Sequence, residues 1–93
     1  MILDIVSPEA KLFSGEVTSV TVPGVDGSFQ ILNNHAPIVS ILEKGTVKIA
    51  APSFNFSKEV ADKFTRVNDQ TYTLEITSGT IEMKDNKVIV LVD

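Results

Sequence analysis

Turn-forming pairs recur along this 93-residue chain at spacings of roughly 8 to 12 residues, the punctuation of an all-β domain. Asp26-Gly27, Asn33-Asn34, Lys44-Gly45, Ser78-Gly79 and Asp85-Asn86 are the clearest, and Ser14-Gly15 after Leu12-Phe13 reads the same way. Between them apolar and polar residues alternate. Leu3 and Ile5 flank Asp4, Val20 and Val22 flank Thr21, Phe29 and Ile31 flank Gln30, and Val47 and Ile49 flank Lys48. Tyr72, Leu74 and Ile76 alternate with Thr73 and Glu75. A period of two puts one side of a strand in a core and the other in water, whereas a helix needs a period near 3.6. The residues therefore predict an antiparallel β-sandwich or barrel.

Three stretches depart from that pattern. From Ser57 to Val67 the apolar residues Val60, Phe64 and Val67 fall at i, i+4 and i+7 among Lys58, Glu59, Asp62, Lys63 and Arg66. This spacing predicts a short helix near 57–67 with Ser57 as N-cap, after a short extended run at Phe54 and Phe56. The other two, Ile38 to Leu42 and Val88 to Val92, are apolar at nearly every position. Such strands need cover on both faces, and a domain this small cannot surround many of them, so at least one is expected to meet another chain.

Ninety-three residues supply one core and hence one domain, 1–93. The formal net charge of −4 and the lack of a clustered basic face argue against a nucleic-acid partner. With no cysteine, stability must come from packing rather than disulfides. Asp4 follows directly on Met1-Ile2-Leu3, so no secretory leader is read here, and no apolar run reaches the ~18 residues of a membrane span. A soluble chain is expected, with any membrane association made through a complex.

Residues that carry chemistry are sparse. His35 is the only histidine, and no Gly-x-Ser-x-Gly elbow supplies a nucleophile for it. A better reading places the imidazole at a loop-to-strand entry, bonding backbone groups beside Pro37. The carboxylates lack calcium-loop spacing, and Pro23-Gly24-Val25-Asp26-Gly27 lacks the lysine and helix of a phosphate loop, so neither metal nor cofactor is expected. What remains is contact.

Several short blocks occur in a telling order: Leu3-Asp4-Ile5-Val6-Ser7, Leu12-Phe13-Ser14-Gly15, Asp26-Gly27, His35-Ala36-Pro37, Gly45 and Ser78-Gly79. In these the chain resembles the epsilon subunit of F-type proton-translocating ATP synthase. The resemblance implies a ten-stranded β-sandwich in the rotating central stalk, non-catalytic, linking the gamma subunit to the c-ring and coupling proton transport to ATP synthesis. It also implies a peripheral location on the cytoplasmic face of a bacterial inner membrane. Mapped by position, the c-ring contact falls on Val25, Asp26, Gly27, Ser28 and Phe29 with Asn33, Asn34, His35, Ala36 and Pro37. The gamma contact is placed on the doubly apolar strand, at Ile38, Ser40 and Leu42.

Three departures accompany the resemblance. Asn33-Asn34-His35 stands where the family commonly has Pro-Gly-His, residues 53–69 read as an insertion, and the sequence stops before the family's two C-terminal helices. ATP binding and helix-insertion inhibition are therefore not carried over. The rival reading is a free-standing sandwich adaptor that binds a peptide along an exposed strand.

Overall fold

The computed structural model describes all of residues 1–93. It contains ten strands: β1 Ile2–Val6, β2 Lys11–Glu16, β3 Ser19–Gly24, β4 Gly27–Leu32, β5 Ile38–Leu42, β6 Gly45–Ala50, β7 Phe64–Asn68, β8 Thr71–Ile76, β9 Gly79–Lys84 and β10 Lys87–Val92. They form two layers, β2-β1-β10-β9-β5 and β4-β3-β6-β8-β7, joined at one corner where Leu42 pairs with Gly24. The expected mainly β sandwich is thus the fold. Alternation drives it: Leu3, Ile5, Val20, Val22, Val47, Ile49, Ile81, Met83, Val88 and Val90 are each no more than 1% exposed, and no polar side chain is buried with them.

Pairing is antiparallel everywhere but at one place. β1 and β10 run parallel, with Leu3 opposite Val88 and Ile5 opposite Val90. Tight turns impose antiparallel neighbours on strands adjacent in sequence, but no turn joins the first strand to the last, so packing alone sets their direction. The β9–β10 connection is such a turn. Asp85 and Asn86 have φ of 52° and 59°, the left-handed pair of a type I′ hairpin, and Asn and Asp tolerate it best after glycine.

Three local expectations are corrected. No helix covers 57–67; the segment makes a single 3₁₀ turn, Ala61–Lys63, and then continues as β7. Val60 and Phe64 are buried as an i, i+4 pair should be, but Val67 is 56% exposed, so the third member of the stripe was coincidence. Pairing of Phe64 with Leu74 and of Arg66 with Tyr72 gives the backbone a sheet partner, which β-branched Thr65 and Val67 suit better than a helix. Ser14-Gly15 is not a turn either. It lies inside β2 opposite Leu3 and Asp4, and the chain bends after Glu16 instead.

Phe54 and Phe56, finally, belong to no strand. β2 and β7 end the two layers on the same side, and the segment between β6 and the 3₁₀ turn crosses the gap between them. Phe56 stacks on Phe64 of β7 with centroids 4.3 Å apart and meets Phe13 of β2 at 5.8 Å. Phe54 lies 4.5 Å from Tyr72 and 6.0 Å from Phe13. Aromatic rings suit this place because a few large side chains can close a gap that strands leave open.

Phe56→Ala is expected to lower unfolding free energy by ~2 to 3 kcal/mol in urea titration, since it opens the edge of the core. Gly79→Ala is expected to cost at least ~2 kcal/mol by overpacking. A Cβ on residue 79 would stand 2.3 Å from the Leu91 carbonyl oxygen, a contact that requires the backbone to move.

Candidate functional site

The inward parity of β5 is set by Leu42, which is 1% exposed, and this sends Val39 and Ile41 outward at 77% and 65% exposure. β10 behaves alike: Val88, Val90 and Val92 are buried while Leu91 is 51% exposed. The two doubly apolar runs therefore flank β9, which pairs with both. Register aligns Ile41 with Thr80, Thr80 with Leu91 and Leu91 with Val6, one row across four strands of the outer face. Beside this row lies an open depression of about 440 Å³, lined in part by Val6, Pro8, Ile41, Thr80 and Leu91. The next row is mixed, with Val39, Glu82, Ile89 and Asp4 in register. Asp4 accepts a hydrogen bond from the Ser14 hydroxyl at 2.6 Å and faces Lys87 at 3.7 Å.

Of the residues expected to meet gamma, Leu42 is in the core and cannot reach a partner, and Ile38 and Ser40 are half-buried on the same inward parity. The outer face of that strand is Val39 and Ile41 instead. The sequence showed that this strand is apolar on both faces but not which face turns inward: an all-apolar run carries no alternation from which to tell the two apart.

The residues expected to meet the c-ring fall in two groups. Val25, Asp26, Gly27, Ser28 and Phe29 form the β3–β4 hairpin and the start of β4, where Gly27 takes φ of 117°. Asn33, Asn34, His35, Ala36 and Pro37 follow the other end of β4, about 17 Å away at the usual rise per strand residue. All are exposed except half-buried Phe29. The structure brings the first group close to one gamma candidate, since Val25, Asp26, Gly27, Ser28 and Phe29 share a cleft of about 230 Å³ with Ser40.

Loop 33–37 is pinned from several sides. The Met1 ammonium donates to Asn33 Oδ1 at 2.7 Å and pairs with Glu16 at 2.9 Å. Asn34, at φ 61°, donates its N–H to Asn86 Oδ1 at 2.7 Å, tying the loop to the β9–β10 hairpin. The His35 N–H donates to the Leu32 carbonyl at 3.1 Å, and its ring Nδ1 donates to the Ala36 carbonyl at 2.7 Å. That carbonyl precedes Pro37, so the imidazole serves loop geometry as the sequence suggested. At the far edge, Arg66 is held above its ordinary pKa by its hydrogen bond to Asp69 and then by the Asp69 charge, so it stays cationic at every physiological pH. No group of three His, Cys, Asp or Glu side chains is clustered to hold a metal ion. No helix is long and apolar enough to cross a membrane.

Residues 1–93 match the family described as ATP synthase, Delta/Epsilon chain, beta-sandwich domain. The chain belongs to that family. It is 40% identical to the ATP synthase epsilon chain of Chlorobium limicola over 91 residues, covering 98% of this chain and 86% of that one. It is 36% identical to the epsilon chain of Leptospira borgpetersenii, again over 98% of this chain but only 59% of the longer relative. Among solved structures, a chain of the Euglena gracilis mitochondrial ATP synthase OSCP/F1/c-ring assembly superposes with a TM-score of 0.77 at 16% identity, over 99% of this chain and 49% of that one. A chain of the Tetrahymena thermophila mitochondrial ATP synthase central stalk and c-ring gives 0.69 at 19%, over 98% and 61%. At such identities the likeness is one of fold. The fold is thus shared while the sequence on it varies widely, as a framework of buried aliphatic residues permits.

Asn86→Gly keeps the backbone freedom of the hairpin but removes the acceptor for Asn34. Its expected effect is a roughly tenfold faster amide exchange at Asn34 with little change at Val90, read by NMR, because opening of loop 33–37 is local.

Proposed function

We propose that this chain is a non-catalytic rotor subunit of an F-type ATP synthase, joining gamma to the c-ring and coupling proton movement to ATP synthesis as a peripheral component on the cytoplasmic face of the membrane. The observation that carries the reading is the family match over the whole chain, joined to an exposed apolar row on a sandwich whose core is otherwise closed.

Gamma is assigned to the outer face of β5, β9 and β10. Val39, Ile41 and Leu91 together present a large apolar contact, and burying each against a partner is worth ~1 to 2 kcal/mol. The c-ring is assigned to the hairpin at Val25–Phe29 and the loop at Asn33–Pro37. Between Glu16 and Glu43 the only formally charged residue is Asp26. Charge is depleted in the centres of protein interfaces, and one acid in a neutral surface sets register against basic groups more than it adds affinity. A rotor part must also be stiff, and close packing of two sheets provides stiffness.

The pair Val39→Glu and Ile41→Glu is expected to leave thermal unfolding within a few degrees of the parent and to weaken binding to gamma at least tenfold in titration calorimetry. Unchanged affinity would remove gamma from this face. Separately, Asp26→Lys with Ser28→Tyr is expected to lower proton-coupled ATP hydrolysis in reconstituted vesicles by half or more. Full coupling would remove the ring from the hairpin. The adaptor alternative predicts that neither pair alters any ATP synthase assay.

A further inference from the structure

The stretch that reads in sequence as an insertion, 53–69, divides in two. Its second half enters the fold as the 3₁₀ turn and β7, and its first half joins no ladder. From Ser53 to Glu59 no backbone N–H donates to another backbone group, and Pro52 has no N–H to give. Of the carbonyls in that run only Ser57's accepts, from the N–H groups of Val60 and Ala61. The run is anchored at both ends. Ala51 and Val60 are 3% and 4% exposed, and the Ala51 N–H donates to the Gln70 carbonyl at 3.0 Å. Between the anchors only Phe54 and Phe56 are half-buried, and every other residue is exposed. Those two rings stack on each other at 5.6 Å, and Phe56 meets Tyr72 edge-on at 5.0 Å besides its contacts with Phe13 and Phe64. Phe13 and Phe64 stand on β2 and β7, beyond which no further strand pairs, yet they are only 5% and 7% exposed. The rings laid across them supply that cover.

We propose that residues 52–59 are a detachable strap, an internal cover over an aromatic face that pairs with a second copy of this chain when the strap lifts. The inference is independent of the rotor reading, because this face lies at the opposite end of the first layer from β5. A segment with no backbone bonds to the sheets opens at low cost while the ladders stay closed. What it uncovers is large. Phe13, Phe54, Phe56, Phe64 and Tyr72 can each bury ~150 Å² or more, which together reaches the ~800 Å² a side of a stable pair. A two-fold pair needs a patch complementary to itself, and a flat group of rings is one. The backbone edges beside the patch do not compete for another strand. β2 carries Lys11 and Glu16 and a register shift against β1 at Ile5/Val6, and β7 carries Arg66 and a shift against β8, which spoil both edges as templates. Pairing therefore runs through side chains.

Trypsin cleavage of the native chain measures the lifting, because a protease takes only the opened form. The cut after exposed Lys58 should run at least 100-fold faster than the cut after Lys48, which lies inside β6. Equal rates would mean that the strap opens only with the whole sandwich, and would overturn the proposal. Sedimentation tests the covered face. The pair Phe54→Ser and Phe56→Ser should keep the strand signal in circular dichroism and form a concentration-dependent dimer that the parent does not form. Phe54→Leu with Phe56→Leu keeps an apolar cover and should stay monomeric. A folded serine pair that remains a monomer, or that grows without limit instead of stopping at two, overturns the proposal. If the serine pair does not fold, the parent chain nicked after Lys58 takes its place in the same measurement: a folded dimer supports the strap, and a folded monomer or loss of the strand signal overturns it.

Discussion

The parallel pairing of β1 with β10 is the constraint on which the rest of the structure depends. It places the first and last strands side by side in the middle of one layer, with β2 outside one and β9 outside the other. That layer is therefore not complete until the whole chain has been used. Leu3, Ile5, Val88 and Val90 make the central part of the core, and their contacts span nearly the full sequence. Such long closures cost chain entropy before they return any burial, which favours an all-or-none body over one that opens in pieces.

That body leaves two kinds of surface. Where layers meet, every buried side chain is apolar, and the aromatic group around Phe56 closes the side on which β2 and β7 leave a gap. Where layers face outward, most positions are polar, as alternation requires. β5 and β10 break the rule because their outward residues are also apolar, and register with β9 brings Ile41 and Leu91 into one row. The exception is thus a consequence of sheet order: two strands distant in sequence share one neighbour, and their surplus hydrophobicity adds up to a patch.

The loops obey a different logic. Asn34, Asp85 and Asn86 occupy left-handed backbone positions that small polar side chains tolerate, and Asn86 then spends its side chain holding the Asn34 amide. His35 and Pro37 shape the entry into β5 in the same economical way. The candidate contact residues are positioned by hydrogen bonds at loop tips on a stiff frame, which is how binding loops are usually held.

Alternation made most strands legible in the sequence, together with the hairpin at Asp85-Asn86, the pinned role of His35 and the two overloaded strands. The errors have physical sources. Val60, Phe64 and Val67 fit a helical stripe by spacing, yet a chain of three apolar positions is satisfied as well by a turn followed by an edge strand, and only the presence of β8 decided between them. Ile38 to Leu42 showed that two faces were apolar but not which one was inside; burial of Leu42 beside Gly24 at the corner settled it and turned Val39 and Ile41 outward. The sequence by itself determined the fold class, most of the turns and the surplus of apolar residues on β5 and β10, because these rest on local backbone preference and on totals of apolar residues. Which strands became neighbours, which ran parallel and where the apolar row came to lie were decided by tertiary structure alone, because lateral pairing is a choice among many strands with nearly equal local preference.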